Sequence, residues 1–114
     1  MNKLNDQIIR VTRALNHPIR IQILYYLNDN QKSSVNNLVK QFDVSQPAIS
    51  RHLRILEEAK LVKSEQVKQE RYYSLEDKHV IKILDVLRRH VNEDFYFKDL
   101  NNHSNFDCLF SEHL

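Results

Sequence analysis

Glycine is absent from this chain of 114 residues, so no turn has the residue that most readily takes positive φ. Tight turns must be made with Asn, Asp, Lys or Gln instead. Cysteine is nearly absent: Cys108 stands alone, which excludes a disulfide framework within the chain and any zinc site built on cysteine pairs. Tryptophan is missing, and proline occurs only at Pro18 and Pro47. No stretch approaches the roughly 18 consecutive apolar residues that a membrane span needs. The opening "MNKLNDQIIRV" has neither a long apolar run nor a small-residue cleavage site, so no secretory leader is expected. These absences lead to the expectation of a cytoplasmic protein with no membrane partner. The length suits one compact domain with a modest core.

Charge is present but uneven. Residues 1–71 carry 12 Lys and Arg against 7 Asp and Glu, whereas residues 72–114 carry 5 against 8. A basic front suits a polyanionic partner, although ordinary solvated surface gives the same balance.

Apolar periodicity then divides the chain. Ile8, Val11 and Leu15, with Ile9 beside them, place a helix over 5–15. "NHPIRIQILYYLND" reads as a second helix, with Asn16 or His17 as its cap and Pro18 in its first turn. Ile19, Ile23, Tyr26 and Leu27 form its apolar face. "SVNNLVKQF" is a short helix, "DVS" a three-residue turn, and "QPAISRHLRILEEAK" a further helix. Ser45 is the expected cap of that last helix, and Ile49, Leu53 and Leu56 face inward. Two short helices joined by so tight a turn make a helix-turn-helix. "LVKSEQV" and "ERYYSL" alternate and meet at Lys68-Gln69, which reads as a β-hairpin. The expected fold is therefore mainly α with a small β-hairpin: a winged helix-turn-helix. "DKHVIKILDVLRRHV" closes it with a long helix, and residues 1–93 form the domain. The tail at 94–114 has aromatics but weak periodicity, leaving helix, ordered arm and disorder all open.

"RALNHPIRIQILYYL", "VSQPAISRHLRILEEAKLV" and "RYYSL" closely resemble the ArsR/SmtB family of bacterial metal-responsive repressors, over roughly residues 8–93. The resemblance implies a homodimer, joined through its terminal helices, that binds an inverted repeat in double-stranded operator DNA and leaves it when an inducer binds. It also implies that the controlled gene serves metal efflux or sequestration. Many members carry a glycine in the wing where this chain has Lys68.

The residues support a DNA-reading role independently. With Ile49, Leu53 and Leu56 buried, the helix that starts at Gln46 presents Gln46, Ser50 and Arg51, with Arg54 beside them. Gln and Arg can read adenine and guanine edges in the major groove. Ser45 at the cap joins this set. His52 is expected near the same face, within reach of phosphate. Lys63, Lys68 and Arg71 put positive charge on the wing, where phosphates or the minor groove would meet it. The plain alternative is a set of solvated polar residues around a helical corner.

Asp77, His79, His90 and Glu93 are the candidate metal ligands. The spacing D-x-H-x10-H-x2-E matches the final-helix site of the zinc-responsive branch of the resembled family. Eleven residues of helix rise about 16 Å, too far for two histidines of one straight helix to share an ion. Eleven steps of about 100° nevertheless return to the same face, so His79, Ile83, Val86, His90 and Glu93 share a stripe. Val80, Leu84, Leu87 and Val91 form a second stripe, assigned to the domain's own core. If the first stripe packs antiparallel on its copy across a two-fold axis, Asp77 and His79 of one chain meet His90 and Glu93 of the other. Asp77 must then sit at the cap of the helix, because i and i+2 point about 200° apart in a continuous helix. Two imidazoles and two carboxylates suit Zn(II) as inducer, with Co(II) as a surrogate. His103, Cys108 and His113 in the tail leave a six-coordinate nickel site as a further option. Thiolate sites for arsenic, cadmium or lead have no cysteines to use.

Three rival readings remain. One is a metal-independent winged-helix repressor in which the four residues are interface polar groups. Another is a protein-interaction module on the same fold. A metalloenzyme is opposed by the lack of a His-Glu-x-x-His or other hydrolytic motif, and by four protein ligands that leave no position for substrate.

Overall fold

The computed structural model describes residues 2–92. The chain divides into two units, Met1–Asp77 and Lys78–Leu114. The first unit runs α1 (Lys3–Leu15), α2 (Pro18–Asn30), β1 (Ser33–Ser34), α3 (Val35–Phe42), α4 (Gln46–Glu58), β2 (Val62–Val67) and β3 (Glu70–Leu75). The second contains α5 (Lys78–Val91). None of the helices among the described residues is long and apolar enough to cross a membrane. Glu93 and the tail from Asp94 lie outside the described residues.

Short polar side chains set the helix starts. Asn2, His17, Ser34 and Ser45 are the caps of α1, α2, α3 and α4, each accepting a hydrogen bond from a backbone N–H of the first turn. A cap by Asn or Ser, as at α1, α3 and α4, is worth about 1 kcal/mol. Pro18 and Pro47 sit in first turns, where no helical N–H is lost. The shortage of glycine shows at the turns. Positive φ is taken by Gln31, Asp43, Lys60 and Lys68, which come from the residue types expected to stand in. At Gln31 (φ 72°, ψ −50°) the chain doubles back so tightly that Lys32 N–H donates to the Asn30 carbonyl at 2.8 Å.

The core lies where α2, α3 and α4 meet the foot of the hairpin. Ile23, Leu24, Leu27, Leu38, Ile49, Leu53, Leu56 and Val62 are all under 2% exposed. Burying each such side chain stabilises by about 1.5–3 kcal/mol relative to leaving it in water. The inward set of α4 is the one its periodicity dictates. α2 buries a wider arc than expected, since Leu24 and Tyr25 join Ile23 and Leu27 while Tyr26 is only half-buried. Tyr26 meets Phe42 edge-on at 5.8 Å between centroids, and its hydroxyl accepts from Asn37 Nδ2 at 2.8 Å.

β2 and β3 pair antiparallel from Val62↔Leu75 to Val67↔Glu70, with Lys68 and Gln69 as the turn. β1, not anticipated, pairs with the other edge of β3 through Ser33↔Tyr73 and Ser34↔Tyr72, giving the order β1-β3-β2. Buried Ser33 accepts from Asn37 Nδ2 at 3.0 Å, which ties this short strand to α3. Helix, tight turn, helix and hairpin in this order make a winged helix-turn-helix.

Two helices carry apolar side chains that the chain leaves in water. In α1 only Ala14 is buried, while Leu4 and Ile8 are exposed and Val11 and Leu15 half-buried. In α5 Val80 and Leu84 are buried, whereas Ile83 and Val86 are exposed. Leu87, assigned to the core with Val80 and Leu84, is instead 50% exposed, and Val91 is only partly covered. Periodicity gives a side chain's direction around the helix, but not how far along the helix burial continues.

Candidate nucleic-acid interface

At about 100° per residue, Ile49, Leu53 and Leu56 occupy about 60° of the circumference of α4. Gln46, Ser50, Arg54 and Arg51 fall together on another arc, about 140° wide. Gln46, Arg51 and Arg54 are exposed and Ser50 is half-buried. Ser45 Oγ, at the head of this arc, accepts from Ala48 N at 3.4 Å. A turn of only three residues, 43–45, with Asp43 in the left-handed region, delivers this helix abruptly from α3. The arc therefore stands clear of the core with donors and acceptors suited to base edges.

His52 is not part of that arc. It is half-buried on the opposite flank of the buried stripe, facing the start of α2. Its ring lies 4.4 Å from that of His17, tilted by 54°. Its Nδ1 is 3.2 Å from Arg20 Nη1. Arg20 also donates from Nε to the Ala14 carbonyl at 2.7 Å and from Nη2 to the Arg13 carbonyl at 3.3 Å. Burial, aided by the charges of His17, Arg20 and Arg51, holds the pKa of His52 below the ordinary imidazole range. Burial and Arg20 do the same to His17. Arg20 was not singled out from sequence. The signal was its place one turn after His17 in "HPIR", but the sequence around it reads only as a helix start.

On the wing, Lys63 and Lys68 are exposed, Lys68 at the turn itself. Arg71 is exposed but engaged: its Nη1 donates to Ser64 Oγ at 2.7 Å, and Ser64 donates in turn to Glu57 Oε2 at 2.9 Å. This chain of bonds ties the hairpin to the last turn of α4. Lys32 Nζ lies 5.4 Å from the centre of the Tyr72 ring on the same sheet.

The candidate metal ligands are not gathered. Among the described residues, no three His, Cys, Asp or Glu side chains converge on a point that could hold an ion. Asp77 immediately precedes α5, the position required of it. His79 and His90 are both exposed and stand at opposite ends of that unbroken helix.

The arrangement of helices, turn and wing has close parallels. The model of bacterial regulatory proteins of the arsR family matches residues 17–64, from the cap of α2 into β2. The transcriptional repressor SmtB of Mycobacterium tuberculosis is 39% identical over 89 residues, which is 78% of this chain and 65% of that protein. The structure of HlyU from Vibrio cholerae superposes with a TM-score of 0.67 at 31% identity, covering 78% of this chain and 96% of that one. The chain belongs to the arsR family.

It spans just under two thirds of the length of SmtB. The arsR family comprises transcription regulators built on a DNA-binding helix-turn-helix, not enzymes. The same fold occurs in a homodimeric winged helix-turn-helix DNA-binding domain from Mycobacterium bovis, with a TM-score of 0.76 at 23% identity over 82% of this chain and 86% of that one. In helix-turn-helix proteins the second helix of the motif is the one that lies in the major groove.

Proposed function

We propose that this arsR-family chain is a homodimeric repressor that holds an inverted-repeat operator and releases it when Zn(II) binds at two sites shared between the subunits. One observation carries the reading. α5 is a continuous helix whose exposed Ile83 and Val86 lie on the same stripe as His79 and His90, between them. An apolar strip with a ligand-type residue at each end is matched to an antiparallel copy of itself. Such pairing buries Ile83 and Val86 and sets Asp77 and His79 of one chain against His90 and Glu93 of the partner chain. Each ligand half-set is useless alone, because one helix keeps its two histidines about 16 Å apart.

The donor set of two imidazoles and two carboxylates fits Zn(II), and Co(II) in its place. A bound divalent ion supplies four directional bonds that fix one α5 against the other. In the metal-free dimer, Gln46, Ser50, Arg51 and Arg54 of each subunit enter successive major grooves about 34 Å apart. Lys63, Lys68 and Arg71 set the wing against the backbone, and Ser45 heads the reading helix. Holding the paired α5 helices in the metal-bound geometry presents the two α4 helices at a spacing the operator does not match. Metal and DNA then oppose each other by one shared factor.

The test is fluorescence anisotropy of a labelled duplex from the promoter beside the protein's own gene, titrated with and without Zn(II). Tight binding without metal and weak binding with it supports the reading. Tight binding indifferent to Zn(II) leaves a metal-independent repressor, and an absence of salt-dependent DNA binding removes the repressor altogether.

A further inference from the structure

We propose that Arg20 is a positioning residue for operator binding: it is a strut that fixes the reading helix α4 to α1 through the neutral ring of His52. The proposal rests on the operator-binding reading above, but not on the metal.

All three guanidinium nitrogens of Arg20 are engaged. Nε and Nη2 donate to the carbonyls of Ala14 and Arg13, in the last turn of α1. The last carbonyls of a helix lack the usual intrahelical donor, that of Arg13 also accepts from Asn16 N–H at 3.1 Å, and a cation is favoured beside them. Nη1 reaches His52 Nδ1, halfway along α4. A planar fork held at three points fixes an angle as well as a distance. An open cleft of about 580 Å³, bordered by Arg10 and Arg13 of α1 and by Ile55 and Glu58 of α4, lies beside the strut.

The strut also depends on protonation. A guanidinium only donates, so His52 Nδ1 must accept, and the ring is neutral with its proton on Nε2. The groups that face His52 are His17 and Arg20 from the start of α2 and Arg51 from α4 itself. Each is a cation or becomes one in acid. A proton on Nδ1 removes the acceptor and adds charge among charges, so acidification opens the strut.

An operator needs two reading helices at a set spacing, whereas random DNA does not. If the terminal helices join the dimer, the angle of α1 to α4 sets that spacing. Loss of the strut therefore damages preference for the operator rather than affinity for DNA in general.

The experiment uses the full metal-free chain, a duplex from the promoter beside its own gene and a random duplex of equal length. Arg20→Gln should weaken promoter binding about tenfold or more and random binding less than threefold. The slope of log affinity against log salt should stay within half a unit. A second readout needs no DNA: in an NMR titration, His52 should take up its proton at higher pH in Arg20→Gln than in the parent. A parent protein that fails to prefer the promoter defeats the operator reading alone, because the His52 titration still tests the strut. If both duplexes weaken together and the slope falls by about 0.9, Arg20 is a phosphate contact and the proposal fails. Arg20→Lys, which keeps the charge without the fork, serves if the first variant does not fold. It should also lose promoter preference, and full function in Arg20→Lys overturns the strut.

Discussion

Arg51 and His52 are neighbours on one helix, yet they face different tasks. Arg51 is exposed on the arc proposed to read DNA. Arg51→Ala should weaken promoter binding by about 1–3 kcal/mol, the worth of one good bidentate base contact. Zinc stoichiometry, read by titration against a chelator, should not change. Unaltered DNA affinity in this variant would take Arg51 off the reading face. His52 instead looks inward to Arg20 and His17, and its consequence is a dependence of stability on pH. Both histidines have pKa values held below the ordinary 6.5 in the folded chain, chiefly by burial. The folded state therefore binds fewer protons than the unfolded one, and stability rises with pH across this range. The stabilisation is complete above about 6.5 and is lost as pH falls through that value toward the depressed ones. Calorimetry on the metal-free protein should show Tm dropping between about pH 7 and pH 5.5. His52→Asn keeps an acceptor near the place of Nδ1 but does not titrate, so its Tm should drop less. Parallel pH profiles for the two proteins would show that His52 carries none of this effect.

Elements are joined here without glycine, and among the described residues the cost falls at Gln31, Asp43, Lys60 and Lys68, all with positive φ. Gln31 has the tightest turn, at the end of α2 and far in sequence from the reading arc. Gln31→Gly should raise stability by about 1 kcal/mol, the usual penalty for a side chain in left-handed backbone. A urea midpoint that stayed put or fell would mean that the turn holds no such strain. The residue types at these turns were legible in the sequence because the choice is local. So were the caps of α2 and α4 and the inward set of α4, which depend only on neighbours within a turn. β1 was not legible: two residues carry no alternation, and its partners Tyr72 and Tyr73 lie about 40 residues further along the chain. The extra buried arc of α2 and the exposure of Leu87 escaped for a related reason. Spacing tells where a side chain points, while burial depends on what stands opposite. His52 shows the same limit at the candidate site. Its position on α4 put it near the reading residues, but its orientation is decided by Arg20, 32 residues earlier in the chain.

For the whole molecule the decisive question is whether a site can be built from two halves that never meet in one chain. The spacing of Asp77, His79, His90 and Glu93 was readable, whereas the proposed site would need a second copy to assemble it. His79→Ala and His90→Ala should each abolish tight zinc binding in their own homodimers, since every shared site then lacks one imidazole. Mixed and allowed to exchange subunits, the two variants form a heterodimer with unequal sites. One site lacks both histidines. The other joins the intact His79 of one chain to the intact His90 of the other and is complete. Zinc binding that neither variant has alone should therefore return, at one tight site per heterodimer, in a titration against a chelator. The geometry of α5 makes the alternative outcome just as informative. A site confined to one chain would need His79 and His90 together, and neither chain of the heterodimer has both. Subunit exchange confirmed by mass spectrometry, with no recovery of tight zinc binding, would rule out the two-chain site. The exposed Ile83 and Val86 would then need a different partner.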